Sequence, residues 1–203
     1  MWEGADGNGG ELLDGVFETT LAMLAGAHSS ARARELCARA IALAESQGWA
    51  SDPVAGVALA ARAHIDVWEG RFDEAEQWLD RAAQALRPDA EPATRLLLHL
   101  TRGMLHVGRG RLGQALMEFR AAEQLQTLLA APHVLTVRIQ QFLVQTLVRL
   151  GDTAAARATL ARISEEHRDW GEARAARASV YFAEGDPQAA VDALAPVLTV
   201  RRP

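Results

Sequence analysis

The sequence predicts an all-α solenoid of about five helix-turn-helix hairpins, and three observations carry that prediction. Four segments repeat one punctuation: Gly70-Arg71-Phe72-Asp73-Glu74-Ala75, Gly110-Arg111-Leu112-Gly113-Gln114-Ala115, Gly151-Asp152-Thr153-Ala154-Ala155-Ala156 and Gly185-Asp186-Pro187-Gln188-Ala189-Ala190. Each separates two stretches of helical periodicity, and their glycines stand 40, 41 and 34 residues apart, the spacing of a stacked repeat array. Small residues also recur around each corner. Ala63, Gly103 and Ala178 lie seven positions before it, with Val144 the exception, and Ala75, Ala115, Ala156 and Ala190 lie five after. Small side chains there let the two helices of a hairpin approach closely, while Leu79, Phe119, Leu160 and Leu194 fill the next turn. An array of this kind is a one-dimensional scaffold whose usual product is a long binding surface.

Taken in order, ten helices are expected near 11–25, 31–47, 53–69, 72–86, 92–109, 111–130, 132–150, 153–167, 170–184 and 187–199. Asp52-Pro53 supplies a capping carboxylate and then a proline whose missing N–H costs nothing at the first helical position. Asp186-Pro187 repeats the device, and Pro92 and Pro132 likewise open helices. Gly70, Gly110, Gly151 and Gly185 follow helical runs and suit the left-handed residue that closes a helix. Pro88 blocks continuation after Leu86, and Pro196 should end or kink the last helix just before it. Residues 1–10 read as a disordered tail or cloning remnant, 11–199 as the repeat domain and 200–203 as a tail.

Composition narrows the function classes. Hydrophobic residues make up 49% of the 203, ample for a core, and no apolar run approaches the roughly 18–20 residues of a membrane span. The first ten residues lack the basic and apolar regions of a signal peptide, so a cytoplasmic setting is expected. A net charge of −5 argues against direct binding of nucleic acid, which needs a cationic face. All 21 basic residues are arginine. One cysteine, Cys37, forbids an internal disulfide and a multi-thiolate metal site. The six histidines (28, 64, 99, 106, 133 and 167) show no close metal spacing; His99 and His106, seven apart on one helix, lie ~10.5 Å from each other. Nothing resembles a nucleophile elbow or a glycine-rich phosphate loop. No catalysis, cofactor or metal is expected.

The pattern of small residue, Gly-x-x-x-x-Ala, then Leu or Phe four later resembles the tetratricopeptide repeat. Longer stretches are similar to the helical region of large ATP-binding LuxR-family transcriptional regulators of the maltose-activator type. They are Ile41-Ala-Leu-Ala-Glu-Ser-Gln-Gly-Trp49-Ala-Ser-Asp-Pro53, Gly70-Arg-Phe-Asp-Glu-Ala-Glu-Gln-Trp-Leu79, Ala121-Ala-Glu-Gln-Leu125 with Ala131-Pro-His133, and Leu150-Gly-Asp152 with Ala183-Glu-Gly-Asp-Pro187. The resemblance covers roughly residues 11–199. It implies a right-handed superhelix that binds an inducer or a regulatory protein, set between an ATPase and a helix-turn-helix domain. Without lysine the chain cannot form the phosphate loop, and the residues after Leu198 are too few for a DNA-reading domain. The expectation is a central effector-sensing module of such a regulator; the alternative is a free-standing adaptor for a peptide or partner helix.

In tetratricopeptide geometry the first helix of each pair lines the concave side. Six positions before the corner glycines stand His64, Met104, Gln145 and Ser179, and two before stand Trp68, Gly108, Arg149 and Ala183. Arg138 and Gln141 lie further up the fourth pair's first helix. The candidate groove therefore comprises His64, Trp68, Met104, Arg138, Gln141, Gln145 and Arg149: either an aromatic platform, amides and cations suited to a small polar ligand or a peptide, or simply the solvated sides of helices. A second row, eight before the glycines, is Arg62, Arg102, Leu143 and Arg177, extended along one helix by Arg95, His99, His106 and Arg109. That stripe is either an anion site or a set of arginines laid on apolar surface and paired with nearby acids. End hairpins without neighbours would expose apolar faces, so a homodimer through them is a further expectation.

Overall fold

The computed structural model describes residues 30–51, 53–86 and 92–198. Nine α-helices run through them: α1 (Ser30–Ser46), α2 (Pro53–Trp68), α3 (Phe72–Ala85), α4 (Pro92–Gly108), α5 (Leu112–Gln126), α6 (Thr136–Arg149), α7 (Thr153–Leu160), α8 (Gly171–Ala183) and α9 (Pro187–Leu198). A 3₁₀ turn, Glu165–His167, lies between α7 and α8. There is no strand among the described residues. The expected helix at 11–25 and the two tails lie outside them.

Helices pair as hairpins α2–α3, α4–α5, α6–α7 and α8–α9, with α1 packed on α2. Each later hairpin also stacks on the one before, through α2 against α4, α3 against α4, α5 against α6 and α6 against α8. The four corners share one construction. Gly70 has φ +75°, which lets its N–H reach Val67 O (3.1 Å) while Arg71 N–H reaches back to Asp66 O (2.8 Å). This pair of bonds satisfies carbonyls that the ending helix leaves open, and a side chain at Gly70 would oppose the left-handed backbone it requires. The same two bonds recur at Gly110, Gly151 and Gly185. On the far side, Asp152 and Asp186 cap α7 and α9 by accepting from Ala155 N–H and Ala189 N–H, each at 2.9 Å.

The small residues before each corner are buried as expected, and Gly103 shows why. A Cβ there would come 2.3 Å from Cε1 of Phe119, whose ring fills the interior of the α4–α5 hairpin. Phe119 in turn stacks on Phe142 of α6, with ring centroids 5.6 Å apart, joining one hairpin to the next.

Four expected boundaries differ. The helix expected over 111–130 stops at Gln126, where Thr127, Leu128 and Leu129 donate to carbonyls only three residues back. The helix expected from 132 begins at Thr136, because residues around Pro132 turn instead, with Leu135 N–H donating to His133 Nδ1 (3.2 Å). The helix expected over 153–167 stops at Leu160. Arg162 and Ile163 donate to carbonyls only three residues back, and Ser164 is extended (ψ 153°), which resets the chain before the 3₁₀ turn. The last helix runs through Pro196 to Leu198; so near a terminus, proline forfeits a single backbone bond.

Candidate binding groove

The predicted groove residues divide between two ends of the first-helix face. At the α2–α4 end, His64 is 1% exposed and lies between helices. Its Nε2 accepts from Nε1–H of Trp68 (2.9 Å), and its Nδ1 meets Thr101 Oγ1 of α4 (3.1 Å). The indole can only donate, so Nε2 carries the lone pair and Nδ1 the proton, directed at the threonine hydroxyl. Burial, helped by the positive charge of Arg138, pushes the His64 pKa down to about 3. This imidazole is a neutral tie between helices, inaccessible to a ligand. Met104 is likewise buried in the core. Trp68 is 61% exposed, its indole N–H held by His64.

The other end is open. Gln145 and Arg149 of α6 stand on the wall of a pocket of about 630 Å³. Phe142 and Val148 of α6 share that wall, and Phe182 of α8 with Val191 and Leu194 of α9 face it. The lining is mostly apolar, with an amide and one exposed guanidinium at its edge. Arg138 stands apart from it, donating to Glu172 Oε1 of α8 (2.7 Å) across the seam between first helices, and Gln141 is half-buried. Among the described residues no three metal-binding side chains cluster, and no helix is long and apolar enough to cross a membrane.

Neither a protein-family model nor a curated protein matches the chain. Solved structures do. The nearly identical TPR-like (tetratricopeptide-like) repeats of a kinesin light chain named from Podosopora anserina superpose with a TM-score of 0.64 at 16% identity, over 94% of each chain. A point variant of that protein gives 0.66 at 16% identity, over 96% of each. Identity at that level speaks for architecture alone. The fold is a TPR-like repeat array.

Within this TPR-like array the arginines of the row are tied to acids or, at Arg177, a backbone carbonyl of the chain itself. Arg62 donates from Nε to Asp66 Oδ2 (3.1 Å) and lies over the Trp78 ring, 5.4 Å from its centre. Arg102 reaches Asp80 of the preceding hairpin (3.6 Å). Arg109 takes both Asp73 (2.6 Å) and Glu76 (2.8 Å). Arg177 donates to the Arg168 carbonyl (3.1 Å), and Leu143, in the same row, is core. His99 meets Glu118 Oε2 of α5 at 2.7 Å. Burial would raise the Glu118 pKa, but the bond and charge of His99 outweigh it and hold the carboxyl below its ordinary value. His106 is half-buried, and burial pulls its pKa down.

Sequence spacing passed over Phe182 and Val191 and gave Leu194 only a packing place inside its hairpin; all three line the groove. In the structure Phe182 is 70% and Val191 58% exposed.

Proposed function

We propose that this TPR-like array is a non-catalytic binding module that receives an apolar segment of a protein partner in the groove between α6, α8 and α9. The observation that carries this reading is the groove itself: an open, chiefly apolar trough with Gln145 and Arg149 placed to fix the orientation of what enters. An amide and a cation at the edge of an apolar wall favour a segment that brings apolar side chains inward and a carboxylate or backbone carbonyls to Arg149.

The sequence resemblance supports placing the module in a cytoplasmic LuxR-type transcriptional regulator, between an ATPase and a helix-turn-helix domain. There the occupant acts by shifting how neighbouring domains pack, and it can do so only by binding the two arrangements unequally. In that setting the occupant is a regulatory protein. A small effector is the second reading, favoured by a groove volume within the range of small-molecule sites. A free-standing adaptor would use the same wall.

The test pairs capture with calorimetry. Replacing Gln145 and Arg149 together by alanine is expected to weaken the captured partner's binding at least about tenfold, a loss of ~1.4 kcal/mol, with helical circular dichroism unchanged. Unaltered affinity would remove the groove from the account. Thermal shifts with small metabolites, and no captured protein, would favour the effector reading.

A further inference from the structure

The face of α8 opposite the groove borders a second cavity. The groove is lined from α8 by Ala175, Ala178, Ser179 and Phe182, and this cavity by Ala173, Arg177 and Tyr181, half a turn of the helix away. It holds about 500 Å³, within the range of small-molecule sites. Every wall belongs to α7, α8 or the link between them, and α9 contributes none.

The repeat shows why a cavity lies here. Arg102 and Arg177 hold one place in the array, eight before a corner glycine. Arg102 meets Asp80 of α3, ten after the preceding corner, at 3.6 Å. The residue ten after the corner that precedes Arg177 is Ala161. Helix α3 continues past Asp80 to Ala85, whereas α7 stops at Leu160. At this seam, then, the carboxylate is missing and the helix that would carry it has ended. Arg177 keeps one bond, to the Arg168 carbonyl (3.1 Å), and forms no ion pair among the described residues. The two acids on the cavity wall are already matched, Glu165 by Arg168 and Asp169 by Arg174 (2.6 Å). One positive charge, that of Arg177, is left without its counterpart.

We propose that this cavity binds a small monocarboxylate, whose carboxylate stands where the α3–α4 seam has Asp80 and accepts from the remaining N–H groups of Arg177. Tyr181 brings a hydroxyl able to donate, and Glu165 and Asp169 bring acceptor oxygens for hydroxyl or amino groups elsewhere on the ligand. The class is a hydroxy acid or amino acid with one carboxylate. A second negative charge would face Glu165 and Asp169, which disfavours dicarboxylates and phosphate. The site is separate from the groove and does not depend on what the groove binds.

The test titrates the full chain with gluconate and with glutamine, and with inorganic phosphate for comparison, following the backbone amides of Ala173 and Tyr181 by NMR. At least one carboxylate probe is expected to shift them saturably, and more tightly than phosphate. Two substitutions each should weaken that binding at least about tenfold. Arg177→Gln removes the charge, and Ala161→Asp, at an exposed position, supplies the missing carboxylate from the chain itself. Joint replacement of Gln145 and Arg149 by alanine should leave the affinity unchanged. Absence of a saturable shift with either carboxylate, tighter binding of phosphate, or undiminished affinity in the Ala161→Asp chain overturns the proposal. So does loss of binding on replacing Gln145 and Arg149, since the probe then sits in the groove.

Discussion

His64 makes stability depend on pH in a calculable way. The ring is neutral in the folded chain, with Nε2 committed to the indole of Trp68 and Nδ1–H to Thr101. Its folded pKa of about 3 lies below the ordinary 6.5 that the unfolded chain presents. Below 6.5 the unfolded state takes up a proton that the folded state refuses. The stabilising share of the neutral ring is therefore whole above pH 6.5 and fades as pH falls toward 3. At ~1.4 kcal/mol per pH unit for one proton, falling to pH 5 removes about 2 kcal/mol. The perturbation is His64→Gln, whose amide can accept from Trp68 and donate to Thr101 without titrating. Urea unfolding at pH 7 and pH 5 should show the wild type losing about 2 kcal/mol more than the variant. Parallel losses in the two proteins would refute the buried, neutral tie.

Two further substitutions probe the scaffold. Gly103→Ala drives a methyl into the Phe119 ring and should cost about 1–3 kcal/mol, read as a lower urea midpoint; an unshifted midpoint would mean that the α4–α5 approach is looser than described. Asp66→Asn discharges a carboxylate with no exposed surface that accepts from Arg62 Nε at 3.1 Å and Arg71 Nε at 3.0 Å, and should lower stability by about 3 kcal/mol. A loss below about 0.5 kcal/mol would reduce that network to surface pairing.

The corners were legible because their causes are local. A positive-φ glycine, an aspartate cap and a proline at a first helical position each act within a few residues, so Gly70, Asp152 and Asp186-Pro187 announce themselves. The break after Leu160 was not legible, since alanine, arginine and isoleucine all tolerate helix and the turn depends on Ser164 adopting an extended backbone. The inward positions were legible as a row but not residue by residue. His64 and Gln145 occupy equivalent places, yet the first is covered by Thr101 and Trp68 while the second opens onto the groove. What decides between them is the neighbouring helix, a contact about forty residues away that no spacing rule contains. The apolar wall was missed for the same reason, because uncovered and covered apolar residues look alike until it is known which neighbouring helix lies over them.

The arginines show what the repeated seams require. Arg81 reaches Glu45, Arg102 reaches Asp80, Arg109 reaches Asp73 and Glu76, Arg138 reaches Glu172, and Arg162 reaches Glu123, each across from one hairpin to a neighbouring one. Such partly exposed pairs add little stability individually. Their effect is on register: a hairpin slipped along its neighbour would set these charges against apolar surface or against like charge, and both are penalised. The guanidinium forks thus fix where each helix lies while Phe119, Leu79 and their neighbours supply the burial.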